Sequence, residues 1–277
     1  MPVIAFTQEM GSLAKDIALQ LAAELQLETL RHEVVDHVAS QMHLPKSLIN
    51  RLREGKAGTI ERLRVDRDSV AVYAAEELIE AAARGNIVLR GWGATCILRP
   101  VPHVLCVRVT RPFAKRVAWL MSHLDTDDLE FAEEEVRRSD HAHAARMHEL
   151  YGVTWGDPLL YDLVLNTDRL SIDSCVQAIK QLAGRPEFAE TAESREMITG
   201  MAVEAHVRSA LRANAETHGV NVTIECRAGN LRLTGIVVSE NERLRTQEVA
   251  AAVPGVTAVD NALRVMRMPR IFPSSKT

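Results

Sequence analysis

Gly11, Ser12, Lys15 and Asp16 sit in the stretch PVIAFTQEMGSLAKDIALQLAA (residues 2–23), where a short apolar run breaks at a glycine and gives way to a helical pattern. These residue types suit phosphate. A glycine lets backbone N–H groups approach an anion, the free N–H groups and dipole of a helix N-terminus attract it, and a lysine supplies charge. The phosphate-loop consensus adds a second glycine, and its lysine and hydroxyl fall at fixed spacing, the hydroxyl holding magnesium. Laid over the last glycine-x-glycine-lysine portion of that consensus, Gly11-Ser12 puts Leu13 at a glycine position, Ala14 at the lysine and Lys15 at the hydroxyl. From these residues alone, phosphate binding and an ordinary strand-to-helix turn both stay open.

A second glycine turn, Gly91-Trp92-Gly93, follows another apolar run. Trp92 reads as a packing residue of that turn, or a plug in a vacated phosphate pocket, before it reads as a platform for a base. His141, His143 and His148 cluster in a helical stretch, yet the helical period puts His141 and His143 on different faces and aligns only His141 with His148. No metal site is expected there. Arg137 and Arg138 read as solvated helix residues.

The elements that must hold these residues alternate. Val3, Ile4 and Phe6 suit a buried strand, and Ile17, Leu21 and Leu25 mark one face of a helix. A short strand is expected near 27–30, then helices lined by Val34, Val35 and Val38 and by Leu48, Ile49 and Leu52, the latter starting at Pro45. One long helix is expected from Thr59 to Arg84. Further strands are expected at NIVLRG (86–91), VLCVRVT (104–110) and YDLVLN (161–166), with helices over 112–124, 125–149 and 171–182. Strands separated by helices imply parallel pairing through right-handed crossovers, hence a three-layer α/β domain over residues 1–184. Residues 185–199 are polar, carry Pro186 and read as a linker or a solvated helix before the second unit. From Gly200 the pattern is helix to about His218, strands 220–227 and 231–238, a helix over 240–253 and a last strand to about Met268, with 269–277 a frayed tail.

Composition sets bounds. The chain has 277 residues, 47% hydrophobic and 25% charged, enough for one large folded domain and a small one, and with aromatics at 4% its cores are aliphatic. Cys96, Cys106, Cys175 and Cys226 lack CxxC spacing and read as buried free thiols. The opening residues lack a basic-then-apolar signal pattern, and no apolar run approaches the about 20 residues that cross a bilayer, so a cytoplasmic location is expected. Net charge is −4, but residues 195–277 hold 11 Lys+Arg against 8 Asp+Glu. A mildly basic second unit permits an anionic partner without requiring one; nothing points to nucleic acid.

Two resemblances cover nearly the whole chain. FTQEMGSLAKDIALQLA, ARGNIVLRGWGATCIL, VTRPFAKRV and YGVTWGDPLLYDLVLNTDRLS, in that order, resemble the cytidylate kinase-like family of P-loop nucleotide kinases. Gly229-Asn230-Leu231-Arg232-Leu233-Thr234-Gly235, Val253-Pro254-Gly255-Val256 and Val259-Asp260-Asn261-Ala262-Leu263 resemble a BON domain, a small αββαβ module. The first resemblance implies ATP and Mg²⁺ as cofactors, with Gly11, Ser12, Lys15 and Asp16 at the phosphates, and Lys15 and Arg116, which matches a family arginine, as catalytic cations. It implies substrate contacts at Gly91, Trp92, Gly93 and His143. The second implies a protein, lipid or small-ligand partner.

The chain departs from the family where charge matters. Relatives usually have serine-arginine-glutamate and then glycine-serine-glycine-glycine; here stand Thr7-Gln8-Glu9 and Gly11-Ser12-Leu13-Ala14. The family's glycine-arginine-glycine becomes Gly91-Trp92-Gly93, and its aspartate-x-x-arginine lid pattern becomes Asp140-His141-Ala142-His143. Phosphoryl transfer rests on positioning and positive charge, one arginine being worth about 10³ to 10⁵ in rate. The expectation is a nucleotide-binding protein with a degenerate phosphate loop, regulatory or scaffolding, with ATP and Mg²⁺ bound weakly or not at all. The alternatives are an active nucleoside monophosphate kinase using ATP and a structural or membrane-surface protein acting through its BON domain.

Overall fold

The computed structural model describes residues 2–30 and 33–266. The tail 269–277 and the Met268 end expected for the last strand lie outside the described residues. The chain divides after Ala202 into two compact units.

In the first unit, β1 (Val3–Gln8) is apolar over four consecutive residues because both its faces are covered. α1 (Ala14–Leu25) follows, and the chain returns through β2 (Glu28–Thr29), α2 (Glu33–Met42) and α3 (Lys46–Arg53), the last entered from Pro45. The expected single helix over 59–84 is two, α4 (Thr59–Arg64) and α5 (Arg67–Arg84). Asp66 makes the break: its carboxylate accepts from the N–H groups of Asp68 and Ser69, capping the new helix in place of continuing the old one. β3 (Ile87–Arg90), α6 (Ala94–Ile97), β4 (Val104–Thr110), α7 (Phe113–Leu124), α8 (Leu129–Tyr151), β5 (Leu163–Asn166) and α9 (Ile172–Ala183) complete the first sheet and its helices.

The sheet runs β2-β3-β1-β4-β5, every pair parallel. Ile4 and Phe6 point to one face, where Ile17 and Leu21 of α1 and Cys175 and Ile179 of α9 meet Leu105 and Val107 of β4. All of these are fully or almost fully buried, each large side chain contributing about 1.5–3 kcal/mol. The other face carries α5 and α6, which completes three layers. β1 thereby sits in mid-sheet with its carboxyl end beside those of β3 and β4, the edge where ligands bind in open parallel sheets.

Part of the stretch 185–199, read as a linker or a solvated helix, is helical: α10 (Ala192–Ala213) starts there. Ser194, 1% exposed, shares a 2.7 Å hydrogen bond with the His103 ring. The second unit consists of the rest of α10, β6 (Thr223–Arg227), β7 (Asn230–Val237), α11 (Glu240–Ala251) and β8 (Ala258–Val265). β7 is central, antiparallel to β6 and parallel to β8, over a core of Val207, Leu211, Ile224, Leu233 and Leu263. Cys106, Cys175 and Cys226 are buried, Cys96 is half-buried and all four are free thiols. No helix among the described residues is long and apolar enough to cross a membrane.

α2 is tied to α5 by a titratable contact. The His37 ring lies 2.8 Å from a Glu76 carboxylate oxygen, with Glu77 at 3.7 Å, and the Glu76 hydrogen bond raises the His37 pKa above its ordinary 6.5. A raised folded pKa stabilises fully below the unfolded value, and the gain is lost as pH rises through the folded one. The stability advantage of the wild type over His37→Gln is therefore expected to be largest below pH 6.5 and to shrink at higher pH. Paired urea melts between pH 5.5 and 9 measure it, and a flat difference would remove the pair from the stability of this helix contact.

Candidate functional site

The turn after β1 keeps the shape of an anion cradle. Gly11 has φ +76°, and a Cβ there would lie 3.0 Å from the Arg116 carbonyl oxygen and 3.1 Å from its Cα. Leu13 has φ 65° and ψ 10°, a left-handed conformation that glycine adopts freely and leucine only at about 1–2 kcal/mol. It stands at the start of α1, whose first N–H groups have no acceptor within the helix. The Ser12 carbonyl accepts from Thr167 Oγ1 at 2.9 Å, so the threonine that follows β5 pins the loop. The Ser12 hydroxyl is 1% exposed and has no hydrogen-bond partner among the described residues. Lys15 and Asp16 are exposed on the first turn of α1.

Beside the loop lies an arginine network centred on a carboxylate. Glu9 accepts from Arg108 Nη2 at 2.7 Å, Thr110 Oγ1 at 2.7 Å and the Arg111 N–H at 3.3 Å, and lies 3.4 Å from Arg116 Nε. Arg116 is 5% exposed; Nη1 and Nη2 donate to the two Asp140 oxygens at 2.9 and 2.8 Å, and Nε to the Arg111 carbonyl. Its guanidinium thus clamps α8 to α7 and to the loop. Arg111 was missed in reading the sequence. Its Nη1 reaches the Gly11 carbonyl at 3.4 Å and its buried Nε has no partner among the described residues. The available signal was its place directly after a strand whose neighbour carries the glycine turn.

Gly91, Trp92 and Gly93 all have positive φ, 77°, 56° and 79°. A Cβ on Gly93 would collide with the Tyr151 hydroxyl and ring, so glycine there makes room for the tyrosine. Trp92 does not plug the space beside this turn. It forms one wall of a cavity of about 480 Å³ between α3, α5 and α8, with the Arg53 guanidinium 5.9 Å above its ring. Arg67, Arg138, Arg146 and Tyr151 also line it. These came from separate stretches, and no local motif announced them.

His143 is elsewhere. Its ring stacks on Trp155 at 5.1 Å, and burial, reinforced by Arg146, pushes its pKa down to about 4. It is a neutral packing group at neutral pH. Trp155 in turn donates to Thr7 Oγ1 and faces the Arg108 guanidinium at 4.4 Å. Asp162 accepts from the Cys106 N–H and Asn166 from the Asp168 N–H, both fixing the ends of β5. The structure therefore gathers Gly11, Ser12, Lys15, Asp16 and Arg116 at one loop, puts Trp92 in the cavity wall while its neighbours Gly91 and Gly93 shape the turn, and packs His143 on Trp155.

Residues 3–169, more than half of the chain, match the cytidylate kinase-like family. The chain belongs to the cytidylate kinase-like family. Residues 201–267 match the BON domain. The chain is 29% identical over 178 residues to a cytidylate kinase of Pyrobaculum islandicum, covering 64% of this chain and 90% of that protein. It is 22% identical over 156 residues to a cytidylate kinase of Staphylothermus marinus, covering 55% and 87%. An uncharacterised protein from Eubacterium ventriosum shares the fold at a TM-score of 0.53 and 17% identity, over 67% of this chain and 100% of that one. The cytidylate kinase-like fold is a nucleotide-binding one, and both glycine turns lie where its parallel strands end.

Proposed function

We propose that the first unit is a degenerate member of its family that binds a nucleotide weakly at Gly11, Ser12, Lys15 and Asp16 and transfers phosphoryl groups poorly or not at all. It acts as a regulatory or scaffold module beside a BON domain that engages a protein, lipid or small-ligand partner. The loop fits a phosphate: the backbone turn is kept, the Ser12 hydroxyl is unpaired, and Arg111 and Lys15 stand beside it. Magnesium, when bound with ATP, would neutralise the phosphate oxygens, with Asp16 the carboxylate of this turn that would hold it.

One observation carries the loss of transfer. Arg116, the family cation, is spent on Asp140 and Glu9, and reaches a moving phosphate only by releasing them. Lys15 is then the remaining catalytic cation of the loop. Trp92 and His143, at positions where the family carries arginine, bring no charge to the substrate side. On the second unit, exposed Ile236 and Val238 offer apolar area to a partner.

Melting with and without ATP–Mg²⁺, paired with a coupled assay over the nucleoside monophosphates, tests this. A small ATP-dependent rise in Tm that Lys15→Ala abolishes is expected, with turnover at least about 10³-fold below the 1–100 s⁻¹ common among kinases. Robust turnover would instead establish an active nucleoside monophosphate kinase.

A further inference from the structure

The two edges of the second sheet are treated differently. At the β6 edge α10 covers the backbone: Glu204 accepts the Cys226 N–H at 2.7 Å and Arg208 Nη1 donates to the Val222 carbonyl at 3.4 Å. No other element bonds to the outer backbone edge of β8 among the described residues. The Met266 N–H bonds the Val237 carbonyl, so along this parallel pair the even-numbered residues turn their backbone groups to β7, and Val259, Asn261, Leu263 and Val265 turn theirs outward. Of those outward groups only the Leu263 N–H is engaged among the described residues, by the Asn261 side chain at 3.2 Å. An edge left in this state is a template for another strand.

We propose that β8 pairs antiparallel with β8 of a second copy of this chain, joining the two sheets edge to edge about a twofold axis at Ala262. The side chains select that register. Asp260 and Arg264 share the open face of the sheet; Asp260 is 66% exposed with only Arg232 near it, at 3.5 Å, and Arg264 is exposed with no ion-pair partner among the described residues. An axis at Asp260 or at Arg264 would set like charges face to face, which is destabilising. At Asn261 or Leu263 it would set each charge opposite a neutral side chain. Only at Ala262 does Asp260 stand opposite the partner's Arg264, and symmetry makes that pair twice. The same register brings Met266, 54% exposed, opposite the partner's Ala258, and Val259 opposite the partner's Val265. Pairing exchanges the Asn261 side-chain bond to the Leu263 N–H for one from the partner's Asn261 carbonyl. The proposal does not depend on nucleotide binding by the first unit, and it names a protein partner for the second.

Sedimentation of the full-length chain over about 1 to 300 µM tests it, with a reversible monomer–dimer equilibrium expected to have its midpoint above about 10 µM, because one strand edge is a small interface. Asp260→Arg turns both ion pairs repulsive and is expected to weaken the dimer by about tenfold or more; adding Arg264→Asp to it exchanges the charges and should restore affinity to within about threefold of the wild type. Should Asp260→Arg not fold, Arg264→Asp carries the same expectation. The register has its own readout. Residues opposite each other in a non-hydrogen-bonded antiparallel pair are close enough for a disulfide, so Ala262→Cys is expected to give a linked dimer under mild oxidation faster than Ala258→Cys does. A monomer throughout the range, a dimer unmoved by either charge reversal, no recovery in the double variant, or Ala258→Cys linking as fast as Ala262→Cys would overturn the proposal.

Discussion

Gly11→Val is expected to lower the free energy of unfolding by about 4 kcal/mol and to erase any ATP-dependent rise in Tm. Two costs add. A β-branched residue at φ +76° is strained by about 1–3 kcal/mol, and its Cβ arrives 3.0 Å from the Arg116 carbonyl and 3.1 Å from the Trp119 ring. Backbone cannot yield as a flexible side chain does, so the first turns of α7 and the loop must part, an overpacking cost of about 1–3 kcal/mol more. The same parting would disturb the Arg116 bridge to Asp140. Urea denaturation of the two proteins measures the loss; a change under 1 kcal/mol would mean that the loop is not held against α7 in solution.

Glu9→Gln should cost about 3 kcal/mol. The change preserves shape and one acceptor but removes the charge that faces Arg108 and Arg116, whose side chains are 8% and 6% exposed. Breaking a buried ion pair leaves an uncompensated charge and costs about 3–5 kcal/mol. The lower end applies because Asp140 still holds Arg116 and the Trp155 carbonyl still accepts from Arg108. The amide group of glutamine also points donors at donors. Inorganic phosphate at tens of millimolar is expected to restore part of the loss in Glu9→Gln while leaving the wild type nearly unchanged, since an anion can then take the vacated place. Equal phosphate responses in the two proteins would separate Glu9 from anion binding at this loop.

Much of the scaffold could be read from the chain. Strand 104–110 and the helix after Pro45 fall where pattern and proline place them, because buried parallel strands leave continuous apolar runs and a proline fits a first helical turn. The helix over 59–84 failed at Asp66 because a side-chain cap competes with helix propagation, and an aspartate in a polar stretch looks like any other solvated residue. For 185–199 the polar pattern left linker and solvated helix open, and only the fold shows that α10 begins there with Ser194 buried against His103.

The sequence by itself determined the alternation of strands and helices, both glycine turns, the family of the first unit and the αββαβ order of the second. Those depend on periodicity and local sterics, which neighbouring residues carry. Only the tertiary structure decided which charges are free. Arg116 and Asp140 are 24 positions apart, Glu9 and Arg108 are 99 apart, and each cancels the other's charge. Whether a charge is answered depends on distances across the fold, and residue order does not encode those directly.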